Sequence, residues 1–291
     1  MNENRSTAFF LLIVLSVIWG TSFILIKKGL AVFSPVELAA IRISVAGLVL
    51  LPLAWVKRKE VQLPEYKNFL FVGLIGIFVP AFLFGVAQTR LDSSLAGALN
   101  SLSPVWTLIV GAFFFKQRFR GYVILGIIIS FAGAMLLSLS RGSGFKFELN
   151  PNAYLIVLAC AMYGANVNFI KFNSPHHGSV TITSMAVAVV FPLGLVILFG
   201  FTDFITKLQT VPGAWMALGY LTILAVMSTA VANLLFNKLI KIQSPVFAAS
   251  VTYIMPLVSV TWGVLDGEVL QAIHVAAMAL ILGGVYLANR K

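Results

Sequence analysis

One cation stands well inside an apolar run of this sequence. Arg42 lies seven residues past Pro35, about 10 Å along a helix at about 1.5 Å per residue, between LAAI and ISVAGLVLLPLAW. A charge surrounded by hydrocarbon costs on the order of 3 kcal/mol, so keeping one asks for a partner or a task. The chemistry on offer is binding of an anion, above all a carboxylate, or an ion pair beside a gate. The alternative is a long side chain that snorkels to the interface. Glu37 lies five residues away, a poor helical spacing for pairing with it.

Uncharged polar groups collect in other apolar runs. Thr21 and Ser22 follow Trp19; Asn100, Ser101 and Ser103 precede Pro104; Tyr163, Asn166 and Asn168 lie together; Ser250, Thr252 and Tyr253 precede Pro256; Gln88, Asn233 and Asn237 stand in two further runs. An amide in lipid needs a partner. Interhelical hydrogen bonding explains Ser and Thr well. The amides, set beside Trp19 and Tyr163 and flanking two prolines that can bend helices and free carbonyls, fit the wall of a solute path.

Other chemistry is missing. Cys160 is the single cysteine, His176 and His177 are adjacent in a connection, and His274 starts the last run; no spacing suits a metal. No cofactor is expected. There is no H-E-x-x-H and no Walker A sequence, and the carboxylates Glu37, Asp92, Asp266 and Glu268 all fall near the ends of runs. A membrane enzyme needs acid, base, nucleophile or metal at depth, and a channel usually shows a filter loop or charged ring. Both are kept as alternatives to a carrier, and the chain is not expected to be an enzyme.

These residues ride on elements that composition defines. The 291 residues are 60% hydrophobic and 10% charged, against about 25% charged in soluble domains, and the mean hydropathy is +1.00. Runs near the roughly 20 residues a membrane helix needs fall at 8–29, 35–56, 68–88, 93–115, 121–140, 152–172, 179–200, 213–236, 244–265 and 271–289. The first is read as a retained span, because it has no clean cleavage site. The fold class is therefore an all-α membrane protein of ten transmembrane helices, with lipid as a partner and a monomer or weak homodimer as the expected assembly.

The net charge of +11 is distributed by side. Thirteen basic residues fall on the side holding both termini: Arg5, Lys57, Arg58, Lys59, Lys67, Lys116, Arg118, Arg120, Lys171, Lys238, Lys241, Arg290 and Lys291. Six fall opposite: Lys27, Lys28, Arg90, Arg141, Lys146 and Lys207. The excess places both termini in the cytoplasm. Basic residues confined to connections set orientation and do not suggest nucleic acid as a partner.

The two halves are similar in order. Aligning Gly20 with Gly164 sets Trp19 on Tyr163 and Lys27 on Lys171, and places Ala186 at the position of Arg42. Aligning Pro104 with Pro256 sets Gly111 on Gly263 and Ala96 on Ala248. Runs one and four thus match runs six and nine, which makes two units of five, 1–141 and 150–291. Five is odd, so the second unit crosses in the opposite sense. Inverted-topology repeats recur in secondary transporters, with the solute site between the halves near the midplane.

The chain resembles the drug/metabolite transporter superfamily, specifically the EamA family of ten-span carriers. The resemblance rests on Trp19-Gly20-Thr21-Ser22, on Pro35, Leu38, Ala39, Ala40 and Arg42, on Pro104-Val105, on Gly121, Gly126 and Gly133, and on Pro256 followed by Gly267-Glu268. The fourth span usually ends near a glutamate; here it ends in Lys116-Gln117-Arg118, and only Glu268 keeps the carboxylate. The resemblance implies alternating access through a central cavity.

The expected function is a secondary transporter in a bacterial inner membrane, exporting a small organic solute such as an amino acid or related metabolite. With carboxylates only near span ends, uniport or exchange with at most peripheral proton coupling is expected. Trp19, Ser22, Arg42, Gln88, Asn100, Ser103, Tyr163, Asn166, Asn233 and Tyr253 are the expected cavity residues, and Pro104 and Pro256 the expected hinges.

Overall fold

The computed structural model describes the backbone of residues 3–91, 93–139, 151–265 and 272–288. All regular elements among them are helical. Six helical stretches are long and apolar enough to cross a membrane: Arg5–Leu30, Pro35–Glu60, Leu63–Ala87, Asn152–Asn173, Ser179–Gly200 and Ala214–Ile242. Shorter apolar helices cover Ser103–Phe115, Gly121–Leu136, Pro245–Val258 and Ala272–Ala288.

We number the units in chain order. The first three are α1 (Glu3–Leu30), α2 (Pro35–Lys57) and α3, which joins Tyr66–Gly73 through a π-helical stretch, Leu74–Phe78, to Val79–Ala87. Next, α4 is broken into Ser93–Asn100 and Ser103–Phe115, and α5 covers Gly121–Leu139. The second half begins with α6 (Asn152–Asn173) and α7 (Ser179–Gly200). A short helix, Phe204–Thr210, precedes α8, in which Ala214–Ile223 and Ala232–Ile242 flank the π-helical Leu224–Val231. Finally, α9 is split into Pro245–Ala249 and Val251–Leu265, and α10 is Ala272–Ala288.

Local chemistry fixes several ends. Ser34 caps α2, with Glu37 closing a capping box and Pro35 at the first turn. Ser244 caps α9 by accepting from Phe247 N, again with Pro245 next. Lys116 closes α4 in the left-handed region, φ 52°. Hydropathy ends the eighth run at 236, but α8 continues to Ile242. Asn237, Lys238 and Lys241 interrupt the hydropathy there without interrupting the helix.

The two expected hinges differ. In α4 the helix is interrupted at Ser101 and Leu102, and Pro104 opens the new segment. In α9 the discontinuity lies at Ser250, and Pro256 sits inside Val251–Leu265. The break in α9 is thus six residues upstream of its proline. Pro256 has no N–H for the Thr252 carbonyl; Ser101 Oγ, from α4, donates to that oxygen at 3.2 Å. Pro104 likewise frees the Asn100 carbonyl, which accepts from Ser103 Oγ at 2.8 Å.

Extensive packing pairs α5 with α10, α2 with α7, α4 with α6, α1 with α8, α3 with α6 and α1 with α9. Adding five to each label, or subtracting it, returns the same set. Individual contacts repeat this relation. Ser16 Oγ donates to Val251 O at 3.2 Å, and Cys160 Sγ donates to Leu99 O at 3.5 Å. A methyl group on Gly20 would stand 2.9 Å from Val258 Cβ, and one on Gly164 2.7 Å from the backbone of Trp106 and Thr107. Both glycines are sites where helices touch closely.

Candidate functional site

The helices enclose a central cavity with about 900 Å³ of empty space counting its open mouth. Eight of the expected residues line it: Trp19, Ser22, Arg42, Asn100, Ser103, Tyr163, Asn166 and Asn233. They come from α1, α2, α4, α6 and α8. The cavity therefore draws on both halves of the chain.

Two aromatic pairs flank it. Trp19 meets Phe236 edge-on with ring centroids 4.9 Å apart, and Tyr163 stacks with Phe84 at 6.2 Å. Trp19 Nε1 donates to Ser228 O at 3.0 Å, which pins its indole to α8.

Arg42 is the one charged residue among those lining the cavity. Its Nε donates to Thr229 Oγ1 at 2.6 Å and its Nη2 to Ser228 Oγ at 3.4 Å. Both partners are neutral. Glu37 is engaged elsewhere: it accepts from Lys207 Nζ and from Ser34 N, each at 2.6 Å. Among the described residues no carboxylate pairs with Arg42, so its charge remains available to a ligand.

The π-helical stretch of α8 presents both partners of Arg42. Such stretches offset the hydrogen-bond ladder and recur at functional sites. Asn233 Nδ2 donates to Thr229 O at 2.8 Å, which occupies a carbonyl in that offset. In α4, Asn100 offers Nδ2 to Met255 Sδ at 3.5 Å and accepts from Ser103 Oγ at 3.3 Å. Asn166 Oδ1 is buried without a hydrogen-bond partner. Ser22 Oγ is held by Ile18 O at 2.9 Å.

Two expected residues lie outside this cavity. Gln88 caps the carboxyl end of α3, and neither atom of its buried amide has a partner. Tyr253 is 0% exposed and packs with residues of α5 and α10, where its hydroxyl donates to Ile127 O at 3.2 Å. Tyr253 thus faces α5 and α10, and Gln88 stands at the end of its helix. Conversely, Ser228 and Thr229 line the cavity although they are absent from the expected set. Their signal is a polar pair in the middle of an apolar run. The apolar lining of Phe23, Ile77, Phe84, Phe236 and Met255 carries no signal that hydropathy could show.

Gln117, where a glutamate is usual, donates from Nε2 to Asn168 Oδ1 at 2.6 Å, tying the end of α4 to α6. Asp92, Asp266 and Glu268 lie outside the described residues. The cavity offers hydrogen-bond donors, aromatic faces and one cation, a set suited to holding a solute. Among the residues lining it, no nucleophile is paired with a base.

This combination defines a polytopic helical membrane protein with a cavity inside the bundle. The model of the EamA-like transporter family matches residues 6–139 and again 151–290. The chain belongs to that family and is a multi-pass membrane transporter. It is 28% identical over 289 residues to the "uncharacterized inner membrane transporter YedA" of Escherichia coli K12, covering 96% of this chain and 89% of that one. An "uncharacterized transporter" of Archaeoglobus fulgidus is 25% identical over 275 residues, covering 94% and 95%. A "probable amino-acid metabolite efflux pump" of Salmonella typhimurium is 25% identical over 287 residues, covering 96% and 93%. A crystal structure with 20% identity superposes with a TM-score of 0.73 over 98% of this chain and 96% of that one, a shared fold.

Proposed function

We propose that this protein is a secondary carrier that exports a small carboxylate-bearing solute, an amino acid or related metabolite, from the cytoplasm. The observation that carries this reading is Arg42, a cation lining a central cavity without a carboxylate partner among the described residues. An amino acid carboxylate would balance that charge and accept from the planar guanidinium. The aromatic pairs would cover its apolar part. The efflux-pump relative supports the direction.

The carrier works by alternating access of two inverted halves, 1–141 and 150–291, each of five spans. The contacts that recur between α1/α9 and α6/α4, the matched aromatic pairs and the double match to the family model support that arrangement. Both termini face the cytoplasm, and the working unit is a monomer or weak homodimer. Transport is uniport or exchange.

Counterflow in proteoliposomes tests the reading. Vesicles preloaded with unlabelled amino acid should accumulate the labelled one faster than protein-free vesicles. A panel of amino acids, organic acids and nucleosides identifies the class. Counterflow confined to solutes without a carboxylate would overturn the assignment of Arg42.

A further inference from the structure

The carboxyl end of α6 makes an unequal use of two equivalent lysines. Lys171 Nζ donates to the carbonyls of Ile240, Lys241 and Gln243 at 2.9, 3.1 and 2.7 Å. It thereby caps the end of α8, where carbonyls lack helical partners and the dipole is negative. Lys241 Nζ returns the contact to Ser174 O. Glu65 with His177 at 2.8 Å and Glu60 with Thr181 at 2.9 Å tie the same face.

The register that sets Trp19 on Tyr163 sets Lys27 on Lys171. The register of Pro104 and Pro256 also relates Phe84 to Phe236, the ring partners of Tyr163 and Trp19. It carries residues 240, 241 and 243 onto Gln88, Thr89 and Leu91, at the carboxyl end of α3. Lys27 is exposed, with no hydrogen bond or ion pair among the described residues. Gln88, at that end, has a buried amide with both atoms unpartnered. One lysine is seated and its counterpart is unseated.

We infer that Lys171 and Lys27 are the paired gate residues of the transport cycle. Lys171 capping α8 closes the face that bears Glu65 and His177. In the opposite state Lys171 releases α8, and Lys27 caps α3 and closes the other face. The same cation-to-carbonyl cap is exchanged between halves, so each state gains what the other gives up. This rests on the alternating-access reading, but it is tested without any solute.

Spin labels report the two faces. One pair occupies exposed Phe172 and Lys238, on α6 and α8; the other occupies exposed Ala31 and Val86, after α1 and on α3. Cys160, which is buried, is replaced by serine, the residue at its counterpart position 16. In the absence of solute, K171M should raise the population with a lengthened 172–238 distance at least about tenfold and shorten the 31–86 distance. Adding K27M should reverse that shift. K171Q, which keeps a donor, serves if the methionine variant fails to fold. Folded variants at residue 171 with unchanged distances, or a shift that K27M leaves in place, would overturn the gate assignment. Absence of counterflow for every solute, with the distances behaving as expected, would instead count against the proposed substrate.

Discussion

Arg42 Nε reaches Thr229 Oγ1 at 2.6 Å, linking two residues 187 positions apart. The contact ties the early turns of α2 to the π-helical middle of α8. It holds a cation at the cavity wall while leaving its charge without a carboxylate among the described residues. A hydroxyl orients a guanidinium and does not neutralise it, which is the property an anion-binding site needs.

Arg42→Gln should lower counterflow of a carboxylate solute by roughly 10- to 150-fold, the equivalent of losing a charged hydrogen bond of about 1.5–3 kcal/mol. Arg42→Lys should fall between, because it keeps the charge but loses the planar fork. Both should insert normally, since Arg42→Gln removes a charge and Arg42→Lys adds none. Folded protein is quantified by size exclusion. Undiminished counterflow by Arg42→Gln would leave Arg42 only a structural role, tying α2 to α8.

Gly164 tests the close approach of α6 to α4. A methyl group there would lie 2.7 Å from backbone atoms of Thr107 and Trp106, which cannot swing aside. Gly164→Ala should cost about 1–3 kcal/mol, as overpacking generally does, and lower the melting temperature in detergent. Gly178→Ala is the control, because nothing stands within 4 Å of its added methyl. Equal melting temperatures for the two variants would contradict the close contact.

Ser101 and Pro256 should be energetically coupled. Ser101→Ala removes the donor to the Thr252 carbonyl that Pro256 leaves free, and should cost about 1 kcal/mol. With Pro256→Ala the restored N–H can serve that carbonyl, so losing the Ser101 hydroxyl should cost less. Melting temperatures of the four proteins of the cycle give the coupling. Strict additivity would mean that the hydroxyl and the proline act independently.

Orientation follows from the basic residues, thirteen against six. Fusions of a reporter active only in the cytoplasm should be active at both termini. Activity at a single end would require an odd number of spans.

By itself the sequence determined that the chain lives in a bilayer, because so many apolar residues at such spacing have no other solvent. It also determined that helices carry them, since a helix satisfies its own backbone in lipid. The isolation of Arg42 was legible because one charge in an apolar run is conspicuous. The tertiary structure decided which face of each helix turns inward. A helix that is apolar all round has no polar face to orient it, and its rotation is set by contacts far away in sequence. For that reason Tyr253 points toward Ile127 and Gln88 stands beyond the cavity, while Ser228 and Thr229 meet Arg42. The π-helical stretches and the break at Ser250 were equally hidden. They arise where packing offsets a hydrogen-bond ladder, which composition does not encode.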